Sequence, residues 1–196
     1  MSEVVIPAGY GLCTVVMSVT GRVKTYTTSF GYNLPAGAEV DNSSAISEAI
    51  HGAGLMFATA NIANTYKYVG VRLRQQGDTA EYSFELSPNI AGTQSISPPP
   101  ANGSVLVRKN SSLSGKKNRG RMYLPPFGVT DADVDQNGTI SGASLGFLQG
   151  YADDTLAALD TAGFPMVILH HGAGAPTVVE SLTVEGTIAT QRRRIR

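Results

Sequence analysis

The chain has 196 residues, 42% of them hydrophobic, which is long and apolar enough for one globular domain over residues 1–196 and excludes a disordered polymer. The 15 Lys and Arg residues balance 15 Asp and Glu residues, so the chain is neither basic nor acidic throughout. A single cysteine, Cys13, excludes an internal disulfide and a cysteine-based zinc site. Because only 15% of residues are charged, the surface suits burial between subunits better than a free monomer, and a monomeric Ser/Thr-rich β protein is the alternative.

The N-terminus lacks the basic start and the apolar stretch of a signal peptide. No apolar run approaches the roughly 20 residues that a membrane-spanning helix needs. We therefore expect a soluble protein that is made in a cytoplasm and has no membrane partner.

The first half of the chain predicts two β-hairpins and a helix. Residues 12–19 and 22–30 are rich in β-branched or alternating side chains and flank a Thr-Gly turn signal. Residues 66–74 and 80–86 alternate clearly and flank a second turn. Between the hairpins, N-cap candidates at 41–44 precede an apolar series that predicts a helix over 44–58.

The second half predicts further strands and a longer helix. Strands are expected at 104–107, 121–124, 165–169 and 178–188. Helical spacing of leucines predicts a helix over 141–162, with Gly163 as its C-cap. About eight strands in hairpins with two helices in the long connections indicate a mainly β or α+β fold of antiparallel sheets, for which a jelly-roll-like sandwich is one arrangement.

Ten of the 15 basic residues lie in two short segments that contain no acid. The first segment, 108–121, contains Arg108, Lys109, Lys116, Lys117, Arg119 and Arg121. The second, 191–196, contains Arg192, Arg193, Arg194 and Arg196. Such dense cations repel one another unless an anion is near. Three interpretations remain open: contact with another subunit, contact with nucleic acid through its phosphates, and a solvated hairpin tip.

Residues 133–141 match the first nine positions of an EF-hand calcium loop. The oxygen ligands would come from Asp133, Asp135, Asn137 and Thr139. Position twelve is Ser144 instead of a glutamate, and two prolines precede the loop where a helix should lead in. An acidic loop that favours the start of the next helix is the better interpretation, so calcium is a weak candidate and no cofactor is expected.

A catalytic site is not expected either. Residues 142–146 match the nucleophile-elbow pattern around Ser144, and His170 and His171 follow downstream. However, a turn precedes this serine instead of the buried strand that the elbow requires. The small residues are better explained by close packing of a helix.

The segment Arg119–Pro125 and the ending 189–194 together resemble small virion proteins of bacteriophages and related environmental viruses. The resemblance covers the C-terminal half, from Ser104 onward. It implies a structural component of a virus particle, in capsid, neck or tail, and it carries over no catalytic residue.

These observations predict a non-enzymatic virion subunit held by contacts at its two basic segments. The expected partners are copies of itself, other virion proteins and packaged nucleic acid, with synthesis in the host cytoplasm and a final location in the virion. The acidic loop at 131–135 is a candidate to meet a basic segment of the next subunit. The alternative function is a nucleic-acid-binding protein that uses the same basic residues.

Overall fold

The computed structural model describes residues 6–19, 25–34, 66–75, 82–85, 101–111, 120–124, 126, 128–170 and 174–189. Within these ranges it contains nine strands, one long helix and one short 3-10 turn at Asp131–Asp133. Helix α1 spans Gly142–Thr161. The strands are β1 (Tyr10–Val19), β2 (Thr25–Asn33), β3 (Tyr66–Gln75), β4 (Tyr82–Glu85), β5 (Ser104–Asn110), β6 (Arg121–Leu124), β7 (Met166–Ile168), β8 (Thr177–Val178) and β9 (Ser181–Ala189).

The strands form two sheets in which every pairing is antiparallel. One sheet has six strands in the order β4-β3-β1-β2-β7-β8, and the other has three in the order β6-β5-β9. This confirms a mainly β, antiparallel architecture and both predicted hairpins, β1–β2 and β3–β4. The helix predicted over 44–58 lies outside the described residues.

One hydrophobic core joins the two sheets. Alternation along β2 turns Phe30 and Tyr32 inward, and alternation along β5 does the same for Val105 and Val107. Residues from both sheets and from the helix belong to this single cluster of buried side chains. Fully burying one such side chain contributes about 1.5–3 kcal/mol, so the shared core is the main force that holds the two sheets together.

Helix α1 confirms the sequence prediction to within a residue at each end. The Ser141 side chain accepts a hydrogen bond from the backbone N–H of Ser144, which satisfies one of the free donors at the helix start. Gly163 has φ +84°, the left-handed conformation that ends many helices. The buried side chains of Leu148, Ala152 and Leu159 lie on the face that packs on β9. The helix is not long and apolar enough to cross a membrane, and no other helix in the described ranges is.

The predicted strand over 178–188 is divided into two strands that belong to different sheets. Thr177–Val178 pairs with β7, whereas Ser181–Ala189 pairs with β5. At the corner between them, the Val179 N–H donates to the Met166 carbonyl at 2.9 Å. The next residue, Glu180, donates to the Asn110 carbonyl at 2.8 Å. The corner thus carries the chain from one sheet to the other within two residues.

The outer edge of β9 is closed by side-chain and loop contacts. The Gln149 side chain donates from Nε2 to the Leu182 carbonyl at 2.8 Å and accepts from the Val184 N–H at 2.9 Å. Further along, the Ile140 N–H donates to the Gly186 carbonyl at 2.9 Å. These bonds occupy backbone groups that an exposed edge strand would offer to another chain.

We predict that Gln149→Leu lowers the free energy of unfolding by about 1–2 kcal/mol, because it leaves the Leu182 carbonyl and the Val184 N–H without their partner. Chemical denaturation followed by circular dichroism would measure the change. The matched control is Gln136→Leu, at an exposed turn position. Equal stability of the two variants would contradict the role given to the Gln149 amide.

Candidate interaction surface

Three of the ten predicted contact residues lie in the described part of the chain. Arg108 and Lys109 are in β5, and Arg121 begins β6. The predicted strand over 104–107 therefore extends to Asn110 and includes the first two cations of the basic segment 108–121. The seven others lie outside the described residues, namely Lys116, Lys117, Arg119, Arg192, Arg193, Arg194 and Arg196.

Arg108 and Arg121 lie directly opposite each other on the outer face of the three-stranded sheet. Lys109 donates its N–H to the Gly120 carbonyl at 2.8 Å, so the Arg108–Arg121 pair lies between the hydrogen-bonded pairs of this ladder. In that position opposing Cα atoms are only about 4.5 Å apart. Two like charges opposite one another destabilise a sheet unless an anion is present.

Arg108 has such an anion within the chain. Its guanidinium forms an ion pair with Glu185 of β9, and the side chains are 53% and 32% exposed. At this exposure the pair contributes about 0–1 kcal/mol. Arg121 is exposed and has no ion pair or side-chain hydrogen bond within the described residues. Arg121 is therefore the cation of this face that is available to an outside anion.

Tyr123 extends the exposed face beside Arg121. It lies two residues further along β6, opposite Leu106, and its side chain is 45% exposed. Met122 and Leu124 alternate with these two residues and are buried in the core. Within the described residues, the outer face of β6 thus presents one unpaired arginine and one aromatic ring.

Lys109, one of the ten predicted contact residues, is buried within its own chain. Its side chain is only 6% exposed and turns into the core with Val105 and Val107. Its Nζ donates to the carbonyl of Ser29 in β2 at 3.2 Å. A Cβ at Gly120 would come within 2.9 Å of the Lys109 Cβ, so the absence of a side chain there makes room for the lysine stem.

The Ser29 carbonyl is available because β7 is short. Asn33 of β2 donates to the Pro165 carbonyl at 3.0 Å, so odd-numbered residues of β2 direct their backbone groups toward β7. Val167 lies opposite Gly31, and β7 ends at Ile168, one residue before the position opposite Ser29. The Lys109 ammonium takes the place of the missing strand partner and links the two sheets.

The two basic segments leave opposite ends of the three-stranded sheet. Asn110 lies opposite Ser181 at one end of the β5–β9 pair, and Ser104 lies opposite Ala189 at the other. Segment 112–119 connects β5 to β6 at the first end, whereas segment 191–196 follows Ala189 at the second. Six residues of strand separate the two points by about 20 Å. The two segments therefore leave the sheet at two separate points.

In the acidic loop at 131–135, carboxylate oxygens accept hydrogen bonds from nearby residues and stabilise the turn. Asp133 Oδ2 accepts the N–H of Thr130 at 2.8 Å and its hydroxyl at 2.7 Å, and these bonds lower the pKa of Asp133. Asp135 Oδ1 accepts the N–H groups of Thr139 and Asn137, each at 2.8 Å, and the Thr139 bond is the main reason that the pKa of Asp135 is lowered. In addition, the Thr139 carbonyl accepts the N–H of Asp135 at 2.9 Å.

These bonds use one oxygen each of Asp133 and Asp135 to stabilise the loop. Asp131 is engaged as well, because its Oδ1 accepts the N–H of Asn102 at 3.3 Å. No group of three or more His, Cys, Asp or Glu side chains that could hold a metal occurs among the described residues. The loop attaches to β9 through backbone hydrogen bonds between Ile140 and Gly186 and between Ile188 and Gly138.

Ser144 and His170 have structural partners. Ser144 lies in the first turn of α1, and its Oγ accepts a hydrogen bond from the Ser141 hydroxyl at 3.0 Å. His170 Nε2 lies 2.9 Å from the Thr177 hydroxyl. His171 lies outside the described residues. These contacts tie the helix start and the end of β7 to their neighbours.

Two features of this surface were missed at the level of sequence. The burial of Lys109 could have been predicted, since Val105, Val107 and Lys109 continue one period-two series in the sequence. The pairing of Arg108 with Glu185 could not, because the two residues belong to strands that are distant in the chain.

Comparison of the chain with protein-family models, with curated proteins and with solved structures finds no match. The resemblance to virion proteins therefore stays a prediction.

We predict that the free energy of unfolding rises by about 1.4 kcal/mol per pH unit in the window between pH 8 and 10.5 on account of Lys109. Burial lowers the pKa of Lys109 from 10.5 to about 8. In this window the unfolded chain keeps the proton that the folded protein has lost, so raising the pH favours the folded state. Below pH 8 both states are protonated and the cost of the buried charge is constant.

Urea denaturation at a series of pH values would measure this slope. In Lys109→Met the added rise between pH 8 and 10 should disappear, while Lys117→Met, the same change in the basic segment, should keep it. A slope that is unchanged in Lys109→Met would show that the lysine is not a buried titrating group.

Proposed function

We propose that this protein is a structural subunit of a virus particle, of bacteriophage type, that is repeated in the capsid, neck or tail. Its partners are copies of itself, other virion proteins and packaged nucleic acid. It is made in the host cytoplasm and functions in the virion. It acts through binding, without catalysis or a cofactor.

The placement of the two basic segments carries this proposal. They leave opposite ends of the three-stranded sheet, so one copy can contact two anionic surfaces at once. A subunit that has a contact at each end can be repeated along an assembly. The low fraction of charged residues and the sequence resemblance of the C-terminal half support the same function.

A jelly-roll-like sandwich with two helices is the fold that we propose for this subunit. The two described sheets share a core, which is compatible with a β-sandwich. A jelly-roll-like arrangement with a second helix over 44–58 would place additional chain around these sheets. Sandwich domains of this kind occur in many viral shells.

A nucleic-acid-binding protein is the second candidate, and the outer face of β6 favours it. Arg121 lacks an anion among the described residues, and the half-exposed ring of Tyr123 lies on the same face. An arginine beside an aromatic ring suits a phosphate and a stacked base of a single strand.

We predict that the wild-type protein forms a large discrete oligomer with little bound nucleic acid, and that each basic segment contributes to it. Neutralising the first segment (Lys116→Ser, Lys117→Ser, Arg119→Ser) or the second (Arg192→Ser, Arg193→Ser, Arg194→Ser) should each reduce assembly, because both ends are needed. Mass photometry, with absorbance at 260 and 280 nm, would measure particle size and nucleic-acid content.

The matched control removes three cations outside the two segments, Arg22→Ser, Lys24→Ser and Lys67→Ser, and should assemble normally. Raising the salt to about 1 M, where charges are screened beyond about 3 Å, should weaken assembly of the wild type. A monomer that carries nucleic acid at low salt and releases it at high salt would replace the virion proposal with the second candidate.

A further inference from the structure

The edge of β6 has unoccupied backbone groups. Lys109 pairs with Gly120 through the ladder, so the even-numbered residues of β6 direct their N–H and C=O groups toward β5. The N–H and C=O groups of Arg121 and Tyr123 consequently point away from β5. β6 is the last strand of its sheet, and within the described residues these groups have no hydrogen-bond partner.

The other sheet has a matching edge at β4, which the register of its strands identifies. Asn33 bonds toward β7, so the even-numbered residues of β2 bond to β1. Phe30 lies opposite Cys13, which means that the odd-numbered residues of β1 are engaged with β2. The even-numbered residues of β1 are left to bond to β3.

The register of β3 determines which backbone groups of β4 face outward. Even-numbered residues of β1 and β3 lie opposite one another, as in Leu12 and Arg74, so the odd-numbered residues of β3 bond to β4. Their partners in β4 are even-numbered. The backbone groups of Ser83 and Glu85 therefore point to the outer side of β4, the last strand of the six-stranded sheet in the described residues.

These two edges are complementary in an antiparallel register. When Arg121 lies opposite Glu85, Tyr123 lies opposite Ser83, so the four residues with outward backbone groups face one another in two hydrogen-bonded pairs. The same register places a cation opposite a carboxylate, which stabilises a cross-strand pair.

The apolar residues of the two strands match in this register as well. Met122 and Leu124 lie opposite Phe84 and Tyr82. The first two are buried in the core, and alternation in the sequence groups Tyr82 and Phe84 as the apolar row of β4. The apolar rows of the two strands would thus be continuous across the contact.

The two edges cannot meet within one copy. β6 lies next to β2. β4 is separated from β2 by β1 and β3, a distance of about 15 Å at the usual strand spacing. The pairing therefore requires a second copy of the chain.

We propose that β6 of one copy adds as a strand to β4 of another, with Arg121 opposite Glu85, and that this strand addition is a subunit contact of the assembly. The proposal deepens the proposed function, on which it rests for self-association. A contact between two different edges forms a ring or a filament, and a reciprocal exchange closes a two-fold dimer.

Disulfide trapping between two different single variants tests the register. Arg121→Cys and Glu85→Cys proteins are mixed and mildly oxidised, and a covalent mixed dimer is expected, because a hydrogen-bonded pair has Cα atoms about 5.5 Å apart, within disulfide range. Tyr123→Cys mixed with Glu85→Cys is the matched control, since that diagonal of about 7–8 Å is too long. Cys13 does not compete, because it is buried and burial raises the pKa of its thiol.

A proline substitution tests the backbone contact itself. Tyr123→Pro removes an N–H that points to the open edge, so the β5–β6 ladder is retained. Because the contact with β4 loses one of its backbone hydrogen bonds, self-association should weaken at least about tenfold. Tyr123→Ala loses the side chain but keeps the N–H, so it should weaken association clearly less than Tyr123→Pro does. Sedimentation velocity measures association, and circular dichroism checks that both variants are folded.

The outcomes separate the two proposals. Mixed dimers at Arg121–Glu85 only, together with loss of association in Tyr123→Pro, support the strand addition. Oligomers that persist in Tyr123→Pro and give no mixed dimer overturn it and leave the virion proposal standing. A wild-type protein that stays monomeric overturns both.

Discussion

Side-chain alternation along β5 is the constraint on which the rest of this surface depends. β5 is the middle strand of its sheet, so its inward row must fill the core and its outward row must face solvent. A one-residue shift in register would bury Arg108 and expose Val107. The same alternation that seals the core therefore decides that Arg108 is on the surface and Lys109 is not.

The buried ammonium of Lys109 marks the place where the two sheets are joined by a polar bond. An amine in the core costs desolvation energy, and one hydrogen bond to Ser29 offsets only part of that cost. The bond is directional, whereas the surrounding apolar contacts are not. It fixes the position of β5 relative to β2 at the point where β7 has ended, which hydrophobic packing alone specifies less well.

The parts of the fold that were predictable from sequence are those determined by local patterns. Alternation identified the β1–β2 and β3–β4 hairpins, and leucine spacing identified α1. The pairing of β2 with β7 and of β5 with β9 joins distant parts of the chain, so no local pattern reports it. The end of β5 was missed because Arg108 and Lys109 carry charges that are typical of loops, although the strand period continues through them. For the candidate surface, the sequence shows which residues are basic. It does not show that Lys109 is buried in the core, that Arg108 is ion-paired and that Arg121 is exposed, because these environments depend on strand order.

The two edges of the three-stranded sheet are treated differently, and this difference has a physical meaning. At β9, the Gln149 amide and the turn before α1 occupy the outward backbone groups. At β6, the outward groups of Arg121 and Tyr123 have no such cover within the described chain. An open edge invites pairing with any extended chain, and a charge on it restricts which chains can pair. Arg121 repels basic strands and its own copies, and it favours an acidic strand such as β4. In the strand addition that we propose, the cover on β9 and the single charge on β6 would make the pairing selective.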